Sequence, residues 1–321
     1  MRRATGVHLQ DSMVRLVTLQ AEGDAVHLCA ARERSLPVPF GPDALRAGSS
    51  GPLLTDILRE CVTEADETGP ILTSLSGGWY QIQKVPLEVA SEADRRSQMI
   101  WEAAQGFAAT STELDIRYVP ARRSAFWVAC RQSLRRSIEA FFGDAGLDDV
   151  ALIAEPIALI NACSLSGVWD HGHTAAVLFS LPWLCIVSAL DGELLSAESI
   201  RTDVTDGYGS LPADKDTDLQ NAGRPGYAAV EVLRRWLVGD AAPARRRRPY
   251  GRLVVCGDRG CTDELTSPAY PRQEAAADLL MPFTSCTVDE VQAAIGLGDR
   301  QTDYAIAAGL AYSGIVKDEE K

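Results

Sequence analysis

The chain has 321 residues, 46% of them hydrophobic, enough to build two packed cores. Lys and Arg number 31 against 44 Asp and Glu, a net charge of −13, which disfavours binding to nucleic-acid phosphate as a main activity. The 8 cysteines include no Cys-x-x-Cys pair and several lie in apolar runs, which reads as a reducing cytoplasm and no metal site.

In chain order, residues 7–9, a polar turn at 10–12, residues 14–19, a turn at 22–24 and residues 25–31 predict a three-strand antiparallel meander. Near this start, Arg2 and Arg3 are followed by Gly6, His8, Gln10 and Asp11, so the apolar stretch of an export signal is not expected. A helix over 53–65 and a short buried strand over 71–75 follow, the strand ended by Gly77-Gly78. Residues 79–85 predict a strand, 91–107 a helix capped at Ser91, and 114–119 and 125–130 two more strands. Together they make a compact insert, about 79–147, that ends with an amphipathic helix over 133–145. A strand over 150–153 then runs into a helix with Pro156 in its first turn.

A meander recurs over 175–178, 185–190 and 194–200, with turns at Leu181-Pro182-Trp183 and Asp191-Gly192, so the fold is expected to be duplicated. Pro182 divides the apolar run 174–190, which makes it two buried strands in place of a membrane span. A helix over 228–237, the basic linker 245–248, a strand over 252–256 entering Gly257-Asp258-Arg259-Gly260, and a helix over 303–313 complete the chain. Asp170-His171-Gly172-His173 offers two imidazoles but no third ligand, and reads as a solvated loop.

This order of pieces resembles the actin superfamily and, more narrowly, the PilM-like type IV pilus assembly proteins and their relative FtsA. The residues that carry the resemblance are Gly6 through Val17, Lys84-Val85-Pro86, Ile100-Trp101-Glu102-Ala103, Ala154-Glu155-Pro156, and Tyr304 through Ala311. The resemblance implies an α/β protein of two duplicated βββαβα domains, 1–163 and 164–321, with a strand-helix-strand-strand subdomain inserted in the first. It also implies three phosphate- and nucleoside-binding turns in which Asp acts through Mg²⁺ and Gly admits phosphate. Here the first Asp-x-Gly reads His8 and Gln10. The second, counted back from Asp191-Gly192, falls on Phe179-Ser180-Leu181, and the Gly-rich nucleoside loop contains Asp258.

These replacements predict a pseudo-ATPase without catalytic residues. Residual binding of ATP and Mg²⁺ without turnover is left to Gln10, Asp11, Ser12, Arg15, Gly257, Asp258 and Gly260. The resemblance further implies a cytoplasmic scaffold, peripheral at the inner membrane, that binds the cytoplasmic tail of a PilN-like membrane protein and is compatible with homo-oligomerisation. The insert's aromatic and Met residues, among them Trp79, Phe107, Met99, Trp101, Tyr118 and Trp127, suggest a peptide groove, for which Met99, Trp101, Tyr118 and Trp127 are the candidates. Three other readings stand beside this one: an active actin-like ATPase with unconventional residues, the cytoplasmic domain of a type II secretion platform, and an actin-fold sugar kinase, which would need a catalytic Asp in the second domain and Gly-rich loops that the sequence does not show.

Overall fold

A computed structural model describes residues 1–10, 12–41, 44–45, 51–63, 69–86, 92–121, 124–170, 172–202, 227–238, 251–267, 277–288 and 297–316. Asp11, Ser91, His171 and the basic linker 245–248, all singled out above, lie outside the described residues. The first meander is β1 (Arg2–Gln10), β2 (Met13–Glu22) and β3 (Ala25–Ser35), followed by α1 (Gly51–Thr63) and β4 (Ile71–Leu75). The insert is β5 (Gln81–Pro86), α2 (Glu92–Phe107), β6 (Leu114–Ala121) and β7 (Ser124–Arg131). Then come α3 (Gln132–Asp144), β8 (Ala151–Ala154) and α4 (Glu155–Leu165).

The second meander is β9 (His173–Ser180), β10 (Trp183–Leu190) and β11 (Glu193–Arg201). It is followed by α5 (Tyr227–Val238), β12 (Arg252–Gly257), α6 (Arg259–Thr266), β13 (Ala277–Leu279) and β14 (Thr287–Val288). A 3-10 turn, Gly298–Tyr304, leads into α7 (Ala305–Ile315).

The duplication is visible in the sheets. The first runs β14-β3-β2-β1-β4-β8 and the second β11-β10-β9-β12-β13, so five strands of the first repeat the order of the second. In each, an antiparallel meander is extended by parallel strands, β4 and β8 in one and β12 and β13 in the other. Alternation along the strands gives each sheet two apolar faces. The outer face of the first, with Val7, Val14 and Leu16, packs on Leu54 and Leu58 of α1 and Ile138 and Phe142 of α3. The outer face of the second, with Val177, Leu184 and Ile186, packs on α5 and α6.

The inner faces share one core with α4 and α7, in which Ala4, Val17 and Leu72 meet Ala158, Ala176, Val187, Val254 and Leu310. Late segments return to the first sheet. Thr287 and Val288 pair in parallel with His27 and Leu28, and Gly6 of β1 lies against the backbone of α7. Among the described residues no helix is long and apolar enough to cross a membrane.

All 8 cysteines are free thiols, and only Cys29 and Cys286 are even partly exposed. Burial pushes the Cys130 thiol up to about 11 and Cys286 to about 12, and Cys163 and Cys185 well above the ordinary value. Native protein at neutral pH is therefore expected to react with Ellman's reagent slowly, Cys29 first, and all thiols to react rapidly in denaturant. Rapid modification of Cys185 or Cys256 under native conditions would contradict this packing.

Candidate functional site

Strand periodicity decides which residues enter the space between the sheets. On β1, Ala4 and Gly6 face the central core, so His8 does as well, and on β9 Ala176 and Leu178 are followed on the same face by Ser180. His8 Nε2 is 3.5 Å from Glu155 Oε1, with exposures of 2% and 0%. Ser180 Oγ is 3.5 Å from the same oxygen. Glu155 opens α4, where the helix dipole favours a carboxylate. Glu155 Oε2 and both imidazole nitrogens are buried without a hydrogen-bond partner. Tyr80 lies beside Cys185 and Ser199, and burial, with Cys185 and Glu155 nearby, holds its phenol well above the ordinary pKa.

Phe179 is placed differently from the expectation. It faces away from the cleft, in the core with Leu233 and Trp236 of α5 and Cys261 and Leu265 of α6. Only its backbone takes part in the turn, its carbonyl accepting from Asp258 N–H at 2.9 Å. The cleft-facing position at this strand end is Ser180, one residue on. Its side chain brings a hydroxyl to the cleft, 3.5 Å from Glu155 Oε1.

The other predicted nucleotide-loop residues that are described do not converge on an open cradle. Gln10 pairs with Met13 at the end of the first hairpin, and Ser12 is exposed, its carbonyl accepting from Leu36 N–H at 2.6 Å. Arg15 Nε is 3.8 Å from Glu33 Oε2. Glu33 also holds Arg300, whose Nε is 3.9 Å from Asp303 Oδ2, and Arg259 makes a two-pronged bond to Asp303 at 2.7 and 3.3 Å. Gly257 has φ +100, and a Cβ there would come 2.2 Å from Phe179 O, so glycine serves the close approach of β12 to β9. Asp258 is the N-cap of α6, accepting from Cys261 N–H at 3.1 Å, and Gly260 is exposed in the first turn of that helix. Sequence reasoning took this stretch for a loop and missed α6; Asp258 as a cap three residues before Cys261 was the signal available.

Trp183, first residue of β10, lies on the turn after β4. A Cβ on Gly77 would come 2.5 Å from Trp183 Cγ and one on Gly78 3.1 Å from its ring. That turn separates two recesses. The first, about 390 Å³, is lined by Leu45, Gly78, Trp79, Phe107, Arg131 and Leu134, with Ser133 and Ser137 of α3. Its Trp79 wall is braced by Phe40, with ring centroids 5.6 Å apart. The second, about 440 Å³, lies at the β5 edge of the insert between Gln81, Gln83, Phe107, Trp127, Trp183 and Ser199.

The four peptide-groove candidates are not brought together. Met99 and Tyr118 share a third groove of about 560 Å³ at the β6 edge, with Arg96 and Asp115. Trp101 is 64% exposed on α2, and Trp127 is 1% exposed in the insert core on the central strand β7. Tyr118 and Trp127 are register partners. Because β7 is central and β6 is an edge strand, the indole is covered by α2 while the phenol is left at the rim.

Among the described residues no group of His, Cys, Asp and Glu is arranged to hold a metal ion. No protein-family profile and no curated protein matches the sequence. Among solved structures, a chain of the PilM-PilN type IV pilus biogenesis complex superposes with a TM-score of 0.72 at 18% identity, over 98% of this chain and 99% of that one. A Bacteroides thetaiotaomicron protein described as having an actin-like ATPase fold and unknown function superposes with a TM-score of 0.51 at 10% identity, over 89% and 93% of the two chains. The repeated strand order, the shared core around α4 and α7, and these two superpositions give this chain the actin-like ATPase fold.

Proposed function

We propose that this protein is a non-hydrolysing scaffold of a type IV pilus or related secretion machine. It is held at the inner membrane by an extended cytoplasmic tail of a PilN-like protein, bound in the groove between the insert and α3. The observation that carries the proposal is a contrast between two sites. Between the sheets, buried His8 and Glu155 stand 3.5 Å apart, and at the start of α6 Arg259 is paired with Asp303, so neither place offers an open cradle for phosphate. The groove walled by Trp79, Phe107 and Leu134 is open and largely apolar, with Arg131 the one charged lining residue among the described residues. The likeness to a chain of a PilM-PilN complex supports the choice of machine.

Mg²⁺ does not fit the residues present. It takes oxygen ligands in near-ideal octahedral geometry, and among the described residues the space around His8 offers an imidazole from β1, a hydroxyl from β9 and the Glu155 carboxylate, which already stands 3.5 Å from both. Titration with Mg·ATP followed by a phosphate-release assay is expected to give release at the protein-free rate. Mg²⁺-dependent turnover would overturn the non-hydrolysing part of the proposal. For the partner, Ser137→Trp, an exposed position of α3 that fills the groove without entering the core, is expected to weaken binding of the PilN-like tail by about tenfold or more. Unchanged affinity would remove the tail from this groove.

A further inference from the structure

We propose that the partner site is longer than the groove beside α3, continuing past Phe107 and Gly78 into the recess under Trp183, so that the second meander reads one end of the bound segment. This rests on the groove assignment above. Gly78 and Phe107 line both recesses, which makes them neighbours on either side of a two-residue wall. Their chemistry differs. The groove carries the positive charge of Arg131, whereas the recess has no charged lining residue among the described residues and is walled by Phe107, Trp127 and Trp183 with Gln81, Gln83 and Ser199 at its polar edge.

The occupant that fits both is an extended peptide with an acidic side chain opposite Arg131 and an apolar side chain under Trp183. Extension is favoured because β5 is an edge strand of the insert sheet, paired only to β7 within it, and Gln81 and Gln83 of that strand line the recess. A strand edge recognises the backbone of a segment laid along it, and the flanking pockets select alternate side chains. Further along β5, Lys84 Nζ donates to Leu195 O of β11 at 2.8 Å, which ties β11, the strand that contributes Ser199 to the recess, to β5. Trp183 is thereby a specificity-determining residue contributed to the partner site by the second sheet.

The test uses the intact protein and short peptides selected on it from a random displayed library. The best binder is synthesised whole and truncated at its apolar end, and its affinity is measured for wild type, Ser137→Trp and Gln83→Trp. Gln83 is exposed on β5, and a tryptophan there fills the recess without touching the groove. The expected result is a binder acidic in one half and apolar in the other. Gln83→Trp should then weaken the whole peptide by about tenfold or more and leave the truncated one unchanged, while Ser137→Trp weakens both. Loss with Ser137→Trp alone overturns the extension and leaves the groove standing. Insensitivity to both variants, or no enriched binder, overturns the extension and the groove together.

Discussion

His8→Leu is expected to destabilise the protein by about 3–5 kcal/mol, and the double variant His8→Leu/Glu155→Leu to recover most of that loss. The argument is one of desolvation. Glu155 is fully buried, its Oε2 has no hydrogen-bond partner, and Oε1 is approached only at 3.5 Å by His8 and at 3.5 Å by Ser180. Removing the imidazole leaves a carboxylate in an apolar core with a hydroxyl and a helix terminus, and the helix dipole contributes at most about 2 kcal/mol. Removing both groups takes away the buried polar atoms and their cost together. The measurement is the urea midpoint of the four proteins in the cycle. A loss of less than about 1 kcal/mol in the single variant would mean that His8 and Glu155 do not support each other.

The same pair shows where the sequence stops being informative. A histidine inside an otherwise apolar strand and a glutamate just before Pro156 at a helix start are each visible. Their meeting across 147 positions depends on how α4 enters the space between the sheets. The meanders, the insert and the closing helix were legible because period-two and helical patterns are local properties. Counting back from Asp191-Gly192 needed the length of the turn at Leu181-Pro182, and a step of one residue there separates the core-facing Phe179 from the cleft-facing Ser180. The domain boundary at 163/164 rests on chain order, while β14 and α7, from the later part of the chain, pack on the first sheet. The aromatic residues of the insert suggested a groove, but strand order decided that Trp127 is covered and Tyr118 is left at an edge. Nothing local in sequence announces that Arg259 and Arg300 close onto Asp303 and Glu33.

Gly309→Val is expected to cost more than about 3 kcal/mol or to prevent soluble expression, because α7 is pressed between two backbones. A Cβ on Gly309 would lie 1.8 Å from Ala158 O and 2.9 Å from Ala162 N, both main-chain atoms of α4. On its other side, a Cβ on Gly6 would lie 2.0 Å from Ala307 O and 2.7 Å from Ala311 N. Small side chains at Ala305, Ala307, Ala308 and Ala311 give α7 the thinness this position needs. Since the obstacle is backbone, Ala158→Gly is expected not to rescue Gly309→Val, whereas a side-chain clash would be relieved. Gly143→Ala on α3 is the opposing control: nothing lies within 4 Å of the added Cβ, and better helix propensity should stabilise by about 0.5–1 kcal/mol. Thermal unfolding of the set tests the point. If Gly309→Val behaved like Gly143→Ala, α7 would not lie against α4 as described, and the spacing that sets the sheets around His8 and Glu155 would have to come from elsewhere.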